Sequence, residues 1–228
     1  MQKLYIGNKN YSSWSMRPWV LMKNAEISFE EVLIRFDSFD SGSAFQTTIS
    51  KLSPVGKVPL LVDESLVVWD TLAIAEYLAE KHPEKSLWPQ DRQARARARS
   101  ICAEMHSGFS SLRNACPMNI EASLPDIGAL VLRDQAPVRA DVERIESMWG
   151  SLLKEHAGPY LFGQQFTVAD AYFAPVCMRF KTYNLSQRSE VNQYIATICN
   201  APGVASWIAE ARAEDDFRDF EEPYRLQR

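Results

Sequence analysis

The pattern of the sequence changes once, near Pro83. Before that point, short strand-like runs alternate with runs at helical spacing, in the order strand, helix, strand, then two strands and a helix. Beyond residue 91 the long periodic runs all have helical spacing. We therefore predict a small α/β domain over residues 1–82, a linker over 83–90, and an all-α domain over 91–228.

Composition narrows the classes of partner and site. The 228 residues include 46% hydrophobic and 24% charged residues, and the formal net charge of −4 does not favour a nucleic-acid partner. Four scattered cysteines and three histidines form no ligand motif, so we expect no metal. Because the sequence shows neither a signal-peptide pattern nor an apolar run of membrane-spanning length, we expect a cytoplasmic protein that does not enter a membrane.

The stretch Tyr11–Trp19 places three hydroxyls where a strand passes into a helix. Ser13 or Ser15 is the expected cap, and Pro18 is expected in the first helical turn, where its missing N–H costs nothing. A helix start favours anions, and a hydroxyl placed there, Ser12 included, can donate a hydrogen bond to a thiolate. From the residues alone, the alternative that the serines only cap the helix stays open.

A hairpin and a helix are predicted after Gly56. Pro59 opens an apolar run, and on the residues alone the Val58–Pro59 bond is expected to be trans. A second run after Asp63-Glu64 completes the hairpin. The following helix is expected to be capped by Asp70 or Thr71.

The second half is predicted to surround one buried helix. Thr167 and Asp170 form a capping box before the apolar segment Ala169–Tyr183. The charged end, Glu214–Arg228, is expected on the surface. The remaining predicted segments are a single helix over Arg92–Asn114, irregular chain over Asn114–Pro137, and helices over Ala140–Ala157, Gln193–Asn200 and Val204–Ala213.

Four stretches, in this order and spacing, resemble the cytosolic glutathione transferases. They are Ser12-Ser13-Trp14-Ser15-Met16-Arg17, Gly56-Lys57-Val58-Pro59, the segment from Asp70 to Leu78, and Phe166-Thr167-Val168-Ala169-Asp170. The serine pattern is most similar to the serine-type, zeta-like bacterial branch. The resemblance implies a thioredoxin-like N-terminal domain with Pro59 in cis, a helical C-terminal domain, and a homodimer.

The resemblance also implies a site for glutathione as co-substrate. The Val58 backbone, beside Pro59, would pair with the cysteinyl backbone of glutathione, as a strand edge pairs with a peptide. Asp70 and Thr71 would hold the γ-glutamyl carboxylate at a helix N-terminus, and Lys57 would face the glycyl carboxylate. Asp70 stands where the family usually has Glu or Gln.

Ser12 matches the family's catalytic serine, and Ser13 and Ser15 remain candidates. Trp14 replaces the cysteine of the zeta branch, which disfavours cysteine-based reductase chemistry. The position of the zeta isomerases' central-helix arginine is Thr182 here, with Arg179 one turn earlier. We expect a pocket for the second substrate around Trp14, Arg113 and Arg179.

The function that the resemblance implies is conjugation of the glutathione thiolate to small electrophiles. The alternatives are a maleylacetoacetate-type isomerase or a glutathione peroxidase. A non-catalytic binding or regulatory protein on the same fold is the alternative of another class. The sequence leaves the second substrate open.

Overall fold

The first half of the chain folds around a four-stranded mixed sheet. The structure is a computed structural model, and it describes residues 1–227. The elements are β1 (Lys3–Ile6), α1 (Ser13–Asn24), β2 (Glu30–Leu33), α2 (Ala44–Ile49), β3 (Leu60–Asp63), β4 (Leu66–Trp69) and α3 (Thr71–Lys81). The strand order in the sheet is β2-β1-β3-β4. Strand β2 is parallel to β1, β3 is antiparallel to β1, and β4 is antiparallel to β3 in a hairpin.

The second half is helical and surrounds α8, which packs against α1, α4, α6 and α9. Every residue of α8 except Lys181 is buried, as its apolar sequence predicted. Because α8 also covers α1, the two halves share one core. The helices are α4 (Arg92–Ser107), α5 (Ser110–Ala115), α6 (Pro125–Asp134), α7 (Ala136–His156), α8 (Val168–Tyr183), α9 (Ser189–Asn200) and α10 (Pro202–Ala213).

The predicted capping box at the start of α8 is confirmed. The Asp170 carboxylate accepts hydrogen bonds from the Thr167 backbone N–H at 2.9 Å and the Thr167 hydroxyl at 3.0 Å. It also accepts from the Leu161 N–H at 3.0 Å and the Tyr194 hydroxyl at 3.1 Å. Burial raises the pKa of Asp170 to about 6, and the four donors oppose that rise.

Two predictions for the helical half are wrong. The single helix over Arg92–Asn114 is broken at Gly108-Phe109, where Phe109 has φ of 55°. A Cβ at Gly108 would lie 2.7 Å from the Glu104 carbonyl oxygen, so the chain uses glycine to leave α4. The stretch 114–137, predicted as irregular, contains α6, because Pro125 and Pro137 each open a helix instead of ending one.

The surface location predicted for the charged end holds for most of its described residues, which are exposed or half-buried, but not for Glu222. Residues 214–226, which we call the C-terminal strap, lie over the loop before α1, and Glu222 is buried there.

No helix within residues 1–227 is both long and apolar enough to cross a membrane.

We predict that Asp170→Ala lowers the free energy of unfolding by about 3 kcal/mol or more, since it leaves several buried donors without an acceptor. Denaturant unfolding followed by circular dichroism measures this change. Thr167→Ser keeps the hydroxyl and is the matched control, with an expected loss of about 1 kcal/mol. Equal losses in the two variants would contradict the role given to the carboxylate.

Candidate functional site

Two adjoining cavities open where the sheet half meets the helical half. The first, of about 300 Å³, lies at the N-terminus of α3, and we call it the α3 cavity. The second, of about 560 Å³, lies beside the start of α1, and we call it the serine cavity. Both are lined by Trp14, Lys57 and Val58, so one ligand can reach from one cavity into the other.

The α3 cavity presents a helix N-terminus and a carboxylate. Asp70, with φ of 74°, caps α3 by accepting from the N–H groups of Leu72 at 2.8 Å and Ala73 at 3.3 Å. Its second carboxylate oxygen lies 3.2 Å from His106 Nε2. The Thr71 hydroxyl shares a 2.6 Å hydrogen bond with the Tyr172 hydroxyl of α8. The cavity therefore offers groups for both an anion and a cation.

The segment before β3 forms the boundary between the cavities. The Val58–Pro59 peptide bond is cis, as the resemblance implied and the residues alone did not. Val58 lies two residues before β3 and outside the paired ladder of the sheet. Lys57 is exposed and makes no hydrogen bond or ion pair with another described residue. An extended peptide laid along Val58 would have a cation within reach of one end.

The start of α1 differs from the prediction. Ser12 is the N-cap residue, and neither predicted cap, Ser13 or Ser15, has that role. Because α1 begins at Ser13, Pro18 lies in the second turn and not in the first. The helix continues through the proline with α8 packed against it.

The three serines have different surroundings. Ser12 and Ser13 line the serine cavity, whereas Ser15 is fully buried. The Ser12 hydroxyl donates to Ser15 Oγ at 2.7 Å, and Ser15 Oγ accepts from the Gly7 N–H at 3.2 Å. Ser15 thus lies behind Ser12 and fixes its orientation.

The serine cavity contains two arginines from the helical half. Arg179, buried on α8, donates to Ser13 Oγ at 3.3 Å and to the Cys116 carbonyl oxygen. Burial lowers the pKa of Arg179 to about 10, which leaves it charged near neutral pH. Arg113 also lines the cavity and donates to two carbonyls of α4 at 3.2 Å. Thr182 instead donates to the Asn119 carbonyl oxygen at 2.7 Å. Arg179 is therefore the cation that α8 contributes to this cavity.

Trp14 forms a wall common to both cavities and is held by a cation–π contact with Arg17 and an edge-on ring contact with His106. The Arg17 guanidinium lies 4.0 Å from the Trp14 ring centroid, and the His106 ring contacts Trp14 at 5.1 Å between centroids. Arg17 is buried and donates through Nε to the Tyr172 carbonyl oxygen at 3.2 Å. The sequence pattern predicts no role for Arg17 beyond its place in the motif, whereas in the structure Arg17 supports Trp14.

The C-terminal strap closes one side of the serine cavity. The Tyr11 hydroxyl donates to Glu222 at 2.8 Å and accepts from the Arg218 N–H at 3.2 Å. This anchoring places Glu221 in the cavity lining. Sequence reasoning missed Glu221, because a charged C-terminal run resembles solvated chain and no local pattern marks one of its acids as buried.

No group of three or more His, Cys, Asp or Glu side chains within residues 1–227 is arranged to hold a metal ion.

Known proteins match both halves of the chain. A family model described as glutathione S-transferase, N-terminal domain, matches residues 11–81, and one described as the C-terminal domain matches 92–210. The chain is 29% identical to a probable maleylacetoacetate isomerase of Caenorhabditis elegans, over 87% of this chain and 89% of that protein. It is 32% identical to glutathione S-transferase 1 of Dianthus caryophyllus, over 76% of this chain and 74% of that protein.

Solved structures of the same architecture include a glutathione transferase homologue from Burkholderia with bound glutathione. Its TM-score is 0.68 at 23% identity, over 93% of this chain and 98% of that one. At that identity the likeness supports the fold, and it agrees with the mixed sheet and helical half described above.

We predict that Tyr11→Phe loosens the C-terminal strap, because it removes the hydroxyl that joins Arg218 and Glu222 to the loop before α1. Amide hydrogen exchange of residues 214–226 should become about tenfold faster, the equivalent of one lost hydrogen bond. Tyr5→Phe is the control, since the Tyr5 hydroxyl has no hydrogen-bond partner among residues 1–227. Unchanged exchange in Tyr11→Phe would show that the strap is held by other contacts.

Proposed function

The chain belongs to the glutathione S-transferase family, on its zeta-like side, and we propose that it conjugates the thiolate of glutathione to small electrophiles. The observation that carries this proposal is the meeting of the two cavities at Val58. A helix N-terminus suited to the γ-glutamyl group lies on one side, and hydroxyls with cations lie on the other.

Glutathione would lie across both cavities. Its γ-glutamyl carboxylate would bind at the N-terminus of α3 beside Thr71, and its ammonium group would face the Asp70 carboxylate. The cysteinyl backbone would pair with the backbone of Val58, next to Pro59. The glycyl carboxylate would face Lys57, which has no other partner among the described residues.

In this pose the sulfur reaches the start of α1. We assign Ser12 as the donor to sulfur, with its hydroxyl turning from Ser15 toward the thiolate. Ser13, which accepts from Arg179, is the second donor. The helix N-terminus and nearby Arg179 and Arg113 favour the anion, so the thiol pKa should fall below its ordinary value of about 8.5.

The reaction needs no general base, because the bound thiol releases its proton to water before the electrophile binds and the site stabilises the resulting thiolate. The sulfur then forms a bond to the electrophilic carbon, and in a substitution the leaving group departs with its electron pair. The protein contributes by holding both reactants in adjoining cavities, which removes much of the entropic cost of their meeting. Trp14 supplies a flat apolar wall for the second reactant.

We predict that Ser12→Ala lowers kcat/KM for 1-chloro-2,4-dinitrobenzene by about 100-fold, because it removes a donor to the developing charge. The pKa of bound glutathione, followed by thiolate absorbance, should rise toward that of the free thiol. Ser13→Ala should have a smaller effect on both quantities.

Ser100→Ala is the control, since Ser100 is an exposed serine of α4 whose hydroxyl donates only to the Ala96 carbonyl oxygen of its own helix; Ser15→Ala tests the positioning of Ser12 and should have a smaller effect than Ser12→Ala. A normal thiol pKa in Ser12→Ala with a raised one in Ser13→Ala would transfer the role to Ser13. If wild-type protein binds glutathione but turns over no electrophile or hydroperoxide, the non-catalytic binding module becomes the better account.

A glutathione-dependent isomerase is the second candidate function, and the two arginines favour it. Arg113 and Arg179 give the serine cavity two cations that suit a substrate carboxylate. The isomerase chemistry would use the same thiolate, which adds to a cis double bond and leaves again after rotation about the resulting single bond. The Caenorhabditis relative is a probable maleylacetoacetate isomerase, an activity of this kind.

We predict that Arg113→Gln raises KM for maleylacetone by about tenfold, since one cation facing the carboxylate is lost. Arg133→Gln removes an exposed arginine that pairs with Asp134 and is the control for net charge. The assay follows loss of the cis compound in the presence of glutathione. No isomerisation by the wild-type protein would reject this candidate and leave conjugation standing.

We also propose an organisation for the whole protein. The glutathione-binding domain would span residues 1–82 and the helical substrate domain 91–228, joined by a linker over 83–90. A cytoplasmic homodimer is the expected assembly for this family. The exposed apolar side chains in the lining of the α3 cavity, Val55 and Trp69, support a partner on that side.

A further inference from the structure

Glu221 is the one acidic side chain in the lining of the serine cavity among residues 1–227. It is carried by the C-terminal strap, opposite the helical half that supplies Arg113 and Arg179. It makes no side-chain hydrogen bond and no ion pair with any other described residue. A half-buried carboxylate that faces a cavity and has no direct partner points to a role toward a ligand.

The neighbouring acid, Glu222, shows what a structural carboxylate on this strap looks like. It accepts from the Tyr11 hydroxyl at 2.8 Å and from Asn119 at 2.8 Å, and it pairs with Arg225. These partners lower the pKa of Glu222. Burial instead raises the pKa of Glu221 to about 7, with Arg179 opposing the rise and Glu222 adding to it.

We propose that Glu221 determines which second substrates the serine cavity accepts, excluding acidic electrophiles when it is ionised and admitting them when it is protonated. This inference rests on the proposed function, because it concerns the substrate that meets glutathione in that cavity.

Among the titratable groups within residues 1–227 that line the serine cavity, Glu221 is the one whose charge changes near neutral pH. Arg179, with a pKa lowered to about 10, stays charged, and Tyr11, with a pKa raised by burial to about 12, stays neutral. Arg113 and Lys57 are the other cations of the lining, and His106 lies in the α3 cavity beyond Trp14. Ionisation of Glu221 therefore reduces the positive potential of this cavity between pH 6 and pH 8.

A pair of glutathione conjugates tests the proposal by binding and not by turnover. S-(2,4-dinitrophenyl)glutathione is the neutral-ring probe, and S-(2,6-dinitro-4-carboxyphenyl)glutathione carries an added carboxylate on the ring. Calorimetry gives the affinity of both at pH 6 and pH 8 for wild type, Glu221→Gln and Asp219→Asn. Asp219 is an exposed acid on the same turn outside the cavity, so its variant is the control for net charge.

In the wild type, the carboxylated conjugate should lose roughly three- to tenfold in affinity from pH 6 to pH 8 relative to the neutral-ring probe. Glu221→Gln should abolish that relative loss. Its affinity for the carboxylated conjugate at pH 8 should equal the affinity of the wild type at pH 6. Asp219→Asn should behave as the wild type.

Equal pH responses for the two probes in the wild type, or a relative loss that persists in Glu221→Gln, would overturn the assignment of Glu221. Failure of the proposed function looks different, because the protein would then bind the conjugates and turn over neither 1-chloro-2,4-dinitrobenzene nor 4-chloro-3,5-dinitrobenzoate. Absence of binding by both conjugates would contradict both proposals.

Discussion

The burial of α8 is the constraint from which the site follows. A helix with almost no exposed residue must find a partner for each polar side chain that it carries. Asp170 finds its donors within the helical half, but Tyr172 meets Thr71 and Arg179 meets Ser13, both in the sheet half. The contacts that satisfy α8 therefore hold the start of α1 and the start of α3 in fixed positions relative to each other, and the two cavities lie there.

The C-terminal strap follows the same rule at most of its polar groups, but not at Glu221 or at the buried Arg218 Nε, which has no hydrogen-bond partner within residues 1–227. Its buried or half-buried polar groups pair with the loop before α1, as Glu222 does with Tyr11 and Asp216 does with Asn8. Glu221 lacks such a partner while lining a cavity with three cations. An unpartnered charge in a cavity is expected where a bound ligand supplies the missing partner. Glu221 is therefore a group that acts on the ligand of this cavity.

The features that depend on neighbouring residues could be predicted from the sequence. The change of pattern at Pro83, the β3–β4 hairpin, the Asp70 cap and the capping box of Thr167 and Asp170 each depend on neighbouring residues, and the structure contains them. The family resemblance added the cis Val58–Pro59 bond, which the residues alone disfavoured. The break at Gly108, the position of the strap and the contact of Arg179 with Ser13 depend on chain segments far apart in sequence, so no local pattern signals them.

The central claim is that the cavities joined at Val58 form a site for glutathione, with its γ-glutamyl group at the N-terminus of α3. Calorimetry with glutathione and with its α-linked isomer, α-glutamyl-cysteinyl-glycine, tests this most directly. We expect glutathione to bind with Kd of about 1 mM or tighter, and the isomer to bind at least about tenfold more weakly, because its carboxylate and ammonium cannot both reach Thr71 and Asp70. Equal affinity for the two tripeptides, or no binding of glutathione, would contradict the account.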